Sequence, residues 1–173
     1  MRAELILAAS ILAASILAAL ILAAFTLAAR AAGDWSSYLN DRYGYEIAVP
    51  PGFVGQGEPD AHDGQVFRSA DGNARLTVWG GDLFDAESVE DDVGTRLDGF
   101  RRSGWNITYQ SMTPDWASWS GTKGARVFYS REIAGCHGDR FAAFELQYPA
   151  TQIGVMKPVI SKLVAGLRQR LCP

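Results

Sequence analysis

The chain has 173 residues, 48% hydrophobic and 20% charged, with 16 Lys and Arg against 19 Asp and Glu. That length holds one domain comfortably and two only with difficulty, and the apolar content excludes a disordered chain. A formal net charge of −3 supplies no electrostatic footprint for nucleic acid or an anionic membrane surface.

The chain begins with a biased segment. Leu5 to Ala29 carries no charge, and its polar residues are Ser10, Ser15 and Thr26. It repeats with a period of five (Ile6 to Ser10, Ile11 to Ser15, Ile16 to Leu20, Ile21 to Phe25). Five residues turn a helix through roughly 500°, so successive units fall on different faces and the helix is apolar all round. Ala29-Arg30-Ala31 is a small-x-small tripeptide of the kind signal peptidase cleaves. Residues 1–31 therefore read as a signal peptide, with an uncleaved membrane anchor as the alternative, since about 20 apolar residues span a bilayer. No Cys follows the apolar run, which argues against a lipid anchor. Either reading places residues 32–173, a single α+β domain, in the periplasm or outside the cell. This part holds 14 basic and 18 acidic residues.

Trp35 to Asn40 is a lead-in. Tyr43, Tyr45, Ile47 and Val49 alternate along a half-buried strand that Pro50-Pro51-Gly52 stops. Gly55 to Gly64 is a polar loop. Gln65 to Ser69 and Ala74 to Trp79 form a hairpin through Asp71-Gly72, ended by Gly80-Gly81. Ser88 caps a helix to about Arg102, with Val89, Val93, Leu97 and Phe100 on one stripe. Asp85, Glu87, Glu90, Asp91 and Asp92 gather at its start, where acids complement the helix dipole; the spacing of a calcium loop is absent. Asp92 with Arg96 and Asp98 with Arg102 have the spacing of exposed ion pairs.

Four more strands follow. Ile107 and Tyr109 alternate in the first, and Trp116 to Ser120 is short. Gly121 to Gly124 turns the chain into Ala125 to Ile133. Arg140 to Tyr148 carries Ala142, Phe144, Leu146 and Tyr148 on one face. A last helix runs from about Met156 to Leu171, with Pro158 in its first turn and Met156, Val159, Ile160, Leu163 and Leu167 inward. The order is β-β-β-α-β-β-β-β-α. Hairpin links make the sheet, of about six to seven strands, mostly antiparallel, with two helices flanking it and the hydrophobic N-terminal helix preceding it.

Cys136 and Cys172 are the two cysteines of the chain. Outside the cytoplasm an isolated pair forms a disulfide. The strand after the Gly135–Asp139 turn runs about 30 Å away, and the last helix returns roughly 24 Å, which brings Cys172 back towards Cys136. The alternative is a redox or nucleophilic Cys136 beside His137.

There is no G-x-S-x-G, H-E-x-x-H, Walker A or complete G-x-G-x-x-G. His62 and His137 are the two histidines; with Asp60, Asp63 and Asp139 they are candidates for a metal site or an acid/base pair, although Asp and His are common in such glycine-rich turns for backbone reasons. Ser69, His62 and Asp63 make a triad on paper only. Ser120 to Gly124 has the composition of an anion loop, but no helix starts there. All five Trp follow residue 31. Trp116 and Trp119, beside Thr113-Pro114-Asp115, are the candidates for a contact surface, the others being core.

Asn40-Asp41-Arg42-Tyr43-Gly44-Tyr45-Glu46-Ile47, with Val49-Pro50 and Phe53, resembles the opening strand of PsbP-like domains. Phe67-x-Ser69-x-Asp71-Gly72 before Leu76-Thr77-Val78, and Phe144-x-Leu146-x-Tyr148-Pro149 before a terminal helix, are similar to later segments of that family. The resemblance spans about Trp35 to Leu171 and implies an α-β-α sandwich. Its motifs mark strand ends and turns and carry no chemistry. Members of the family serve as a photosystem II extrinsic subunit, as a Ran-binding import factor and as bacterial envelope proteins, so it implies protein binding without catalytic residues. The expectation is an exported, non-enzymatic binding or interaction module of the bacterial cell envelope. It needs no cofactor and binds no nucleic acid; its partner is an envelope protein or small ligand, and it meets the membrane only through an uncleaved leader. The alternatives are a small envelope hydrolase or metal-dependent enzyme using His62 and Asp63, with His137, and an anchored structural component.

Overall fold

Hairpin after hairpin builds one broad antiparallel sheet. The computed structural model describes residues 33–83 and 88–172. The apolar leader, and Asp85 and Glu87 of the acidic cluster, lie outside the described residues. In chain order the elements are β1 (Ser36–Asn40), β2 (Tyr45–Val49), β3 (Phe53–Gly55), β4 (Gly64–Ser69), β5 (Arg75–Asp82), α1 (Val89–Arg102), β6 (Asn106–Met112), β7 (Trp116–Lys123), β8 (Arg126–Gly135), β9 (Arg140–Pro149), α2 (Ile153–Gly166) and β10 (Arg168–Gln169). Seven strands form the large sheet in the order β3-β4-β5-β9-β8-β7-β6; β1-β2-β10 form a small one. All pairings are antiparallel. This is the α+β sandwich expected from the alternation and hairpin signals, with three short strands added.

Those three correct the reading by periodicity. The lead-in is strand β1, which buries Tyr38 and Asn40. The strand Tyr45–Val49 belongs to the small sheet, because it pairs with β1 and β10 and not with β4. It begins after a turn in which the Tyr43 N–H donates to Asn40 Oδ1 at 2.8 Å. Phe53–Gly55 is an edge strand on β4. Strands of two to five residues carry too few alternations to register as a period.

Gly80 and Gly81, expected to end a strand, lie within β5 opposite Ala142 and Phe141. A Cβ on Gly80 would sit 2.8 Å from Tyr43 Cβ and 2.9 Å from the Tyr45 ring. The missing side chain is what lets the small sheet lie against the large one. Likewise β7 continues through Gly121 and Thr122, and Gly124-Ala125 alone makes the turn to β8. The alternation of Ile107 and Tyr109 is broken by a register shift between them. Ile107 packs on the core, and Tyr109 faces solvent.

Two apolar layers cover the large sheet. On one face Tyr38, Tyr45, Ile47 and Val49 of the small sheet, with Met156, Leu163 and Leu167, pack on Phe67, Leu76, Val78, Phe144 and Leu146. On the other face Val89, Val93 and Leu97 of α1 pack on Ala117, Trp119, Phe128 and Phe141. The Ser88 hydroxyl accepts from the Asp91 N–H at 3.2 Å and caps α1, with Glu90, Asp91 and Asp92 in its first turn. The Arg96–Asp92 pair forms, at 2.5 Å; Asp98 pairs with Arg101 instead of Arg102, at 3.0 Å.

The last helix starts three residues earlier and ends five earlier than its apolar stripe suggests. Pro158 therefore lies in its second turn. The Gly154 carbonyl that loses a partner there is on an exposed residue, where water replaces the missing N–H. After Leu167 the chain is extended. Arg168 and Gln169 pair with Glu46 and Tyr45, and the N–H groups of Arg170 and Leu171 donate to the Gly44 carbonyl at 2.7 and 2.9 Å. This strap, and not the helix alone, delivers Cys172 to Cys136. The two are disulfide-bonded with Cα atoms 5.3 Å apart, which removes the nucleophilic alternative for Cys136.

The bridge closes a loop with a sequence separation of 36 residues. Replacing both cysteines by serine should lower the unfolding free energy by about 3–4 kcal/mol on the chain-entropy model. Urea denaturation of the double variant beside the oxidised protein measures this, and an intact mass that rises by two hydrogens on reduction confirms the bridge in solution.

Candidate functional site

The turn residues come first, because they held the candidate chemistry. His62 sits in an exposed loop at φ 50°, its Nδ1 3.0 Å from Glu58 Oε2. The Asp63 carbonyl accepts from the Tyr45 hydroxyl at 3.1 Å and from the Gly80 N–H at 2.8 Å. The Ser69 hydroxyl donates to Asp71 Oδ1 at 2.6 Å and closes its own hairpin. The paper triad is not assembled: His62 and Ser69 each bond within their own loop or turn, and no hydrogen bond joins either of them to Asp63 among the described residues. His137 is exposed at the tip of the β8–β9 turn, at φ 64°. Among the described residues no three His, Cys, Asp or Glu side chains are grouped to hold a metal ion.

The aromatic candidates separate by strand parity. Trp119 is 0% exposed, in the core beneath α1, which corrects its assignment to a contact surface. Trp116 is three residues away, and three is odd, so it falls on the opposite face. It is half-buried, with the Arg131 guanidinium 4.6 Å from its ring centre. The register places Ser111, Ser118 and Arg131 in one row of that face and Tyr109, Ser120 and Tyr129 in the next. Arg131 donates to Ser118 Oγ at 2.9 Å, burial pulls it below the usual guanidinium range, and no carboxylate pairs with it among the described residues. Small serines leave Tyr109, Arg131 and Trp116 standing as a patch, with Tyr129 at its border, stacked on Phe144 of the core.

The second feature lies on the α1 face. Trp79, Arg96, Gly99, Phe100, Ser103, Trp105, Trp119 and Glu145 line a cleft of about 400 Å³. It forms where α1 stops covering the sheet. Phe100 stacks on Phe128 at 4.5 Å between ring centres, and Trp105 meets Phe128 edge-on at 4.9 Å. Arg96 lies over Phe141 at 4.7 Å and approaches Glu132 to 3.4 Å. Sequence patterning identifies the strands that carry these residues; their convergence depends on strand order, which no local pattern encodes.

Glu132 is 0% exposed, and neither carboxyl oxygen has a hydrogen-bond partner among the described residues. Burial pushes this carboxyl up to about 8, with Arg96 pulling the other way. Burial also raises Glu145, while Gln147 and Arg75 oppose the shift.

No protein-family model matches the chain, and no curated protein matches it in sequence. Solved structures do match. The solution structure of cyanobacterial PsbP from Synechocystis sp. PCC 6803 superposes with a TM-score of 0.61 at 17% identity, over 78% of this chain and 92% of that one. The crystal structure of the Saccharomyces cerevisiae Ran-binding protein Mog1p superposes with a TM-score of 0.59 at 11% identity, over 79% and 95%.

The raised carboxyl has a measurable consequence. A native Glu132 that holds its proton to about pH 8, against an ordinary value of 4.5, binds more protons than the unfolded chain between those limits. Stability should therefore fall as pH rises through that window, by an amount on the order of a few kcal/mol. Glu132→Gln should flatten the fall; urea midpoints of both proteins from pH 5 to pH 8 decide it. The structural likeness, at identities this low, establishes the architecture: the chain is folded as PsbP and Mog1p are.

Proposed function

We propose that this chain is an exported, non-enzymatic interaction module, which binds a partner protein in the cell envelope through the Tyr109–Arg131–Trp116 face. One observation carries the reading. Trp116, Tyr109 and an Arg without a carboxylate partner stand on the part of the sheet beyond the covered core, with Tyr129 packed at the border of that core. These residue types dominate the energetics of protein interfaces. Arg131 calls for an acidic group on the partner, and the Trp116 and Tyr109 rings for apolar surface beside it.

Further support comes from the neighbours in fold, one of which is named for binding Ran. Export rests on the leader and on the disulfide. Residues 1–31 act as the signal, or as an anchor if uncleaved, and residues 32–173 as the single working domain. Nothing in the surroundings of His62, Asp63 or His137 favours the hydrolase or metal-enzyme alternative.

Tyr109 is 47% exposed, so Tyr109→Ala should leave stability within about 0.5 kcal/mol. The protein and this variant, crosslinked in the cell envelope, should differ by about tenfold in the yield of one partner. Equal yields, or no crosslinked partner, would remove the face from the proposal. N-terminal sequencing of the exported form tests the leader; a mature chain starting at residue 32 is expected.

A further inference from the structure

The cleft beside α1 is on the opposite face from that patch and is built for a different kind of guest. In one row across the sheet the register sets Thr77, Glu145, Ser130 and Trp119 side by side. Ser130 is short, and its hydroxyl is turned to the Phe144 carbonyl at 2.9 Å. The floor is therefore low between Glu145 and Trp119, which stand two strand spacings apart, roughly 9–10 Å. Trp79, Phe100 and Trp105 add aromatic wall, and Gly99 keeps the helix side open. A Cβ on Gly99 would meet nothing closer than the Arg102 guanidinium, at 4.0 Å.

Arg96 and Glu145, the ionisable groups that line the cleft, already have partners. Arg96 holds Asp92 at 2.5 Å and faces Glu132; Glu145 accepts from Gln147 at 2.7 Å and has Arg75 at 3.6 Å. A charged guest would disturb these pairs. Around the cleft the Thr77 hydroxyl, the Glu132 carboxyl oxygens and the Trp119 indole N–H are buried without a hydrogen-bond partner among the described residues, and of these residues Trp119 is the one that lines the cleft. A buried donor left unsatisfied is costly, and a guest that accepts from it removes that cost.

We propose that this cleft binds an uncharged, planar aromatic molecule of about two fused rings, bearing a ring nitrogen or carbonyl oxygen that accepts from the Trp119 indole N–H. The flat walls select the rings, the donor selects the acceptor, and the paired charges reject ions.

Three probes of like shape separate these requirements. Quinoline has an acceptor, naphthalene has none, and indole brings a donor. Each is titrated into the oxidised, ¹⁵N-labelled protein, and the five indole N–H signals are followed. Quinoline should move the Trp119 signal and bind about tenfold more tightly than naphthalene or indole. Trp119→Phe should erase that preference while naphthalene binds as before. Gly99→Leu, at an open helical position, should weaken both probes about tenfold without lowering the melting temperature; this variant decides the matter if Trp119→Phe fails to fold. A Trp119 signal unmoved by quinoline, or equal affinities for quinoline and naphthalene, would overturn the proposal.

Discussion

Seven strands at about 4.8 Å spacing make a sheet roughly 29 Å wide, whereas a helix with its side chains covers about 10–12 Å. No single helix can shield such a face. The protein meets this constraint by offset. On one face α1 lies over β6, β7 and β8, and on the other the small sheet and α2 lie over β4, β5, β9 and part of β8. Each face is therefore dry on one half and open on the other. Residue chemistry follows the division strand by strand. β7 buries Ala117 and Trp119 under α1 and turns Trp116, Ser118 and Ser120 to the other side. Both candidate binding features lie where a covering layer ends.

The offset requires the small sheet to be held down at one end, and that is the work of the C-terminal strap. Gly44 is at φ 68°, and a Cβ there would run into the Leu171 carbonyl, so the strap can lie directly on the β1–β2 turn. Arg168 and Arg170 both reach Glu46, and Gln169 donates to the Tyr43 carbonyl at 2.8 Å. The disulfide then ties the strap to the β8–β9 turn of the large sheet. Cys136 and His137 both take positive φ there, a conformation that side chains beyond glycine adopt at some cost. The bridge and the strap hold the turn in that shape.

Beneath α1 the sheet keeps polar groups that a purely structural layer would avoid. Glu132 sits among Ala117, Ala143 and Phe141, with Arg96 reaching in from the helix. Arg96 in turn lies over Phe141 and pairs with Asp92, so one side chain connects the helix surface, the aromatic core and the buried carboxyl. Arg96 thus links α1 to the sheet, which makes the position of the helix, and with it the shape of the cleft, sensitive to this one residue.

Much of the fold was legible in the residues. Alternation revealed the long strands, because a half-buried strand must repeat with period two. Ser88 with Val89, Val93 and Leu97 revealed α1, and Asp71-Gly72 a hairpin, since each is a local interaction between near neighbours. Two cysteines behind a leader that reads as an export signal pointed to one another for want of any other partner. What the sequence could not carry was any feature that depends on distant segments meeting. Gly80 and Gly121 look like strand ends until the tyrosines and the phenylalanine that fill their missing side-chain space are seen in place. Trp116 and Trp119 look equivalent until strand parity and the seat of α1 send one to the surface and the other to the core. The convergence of Trp79, Phe100, Trp105 and Trp119 from four separate segments was settled by strand order alone. Strand order is a property of long-range pairing, to which the composition of each strand is indifferent.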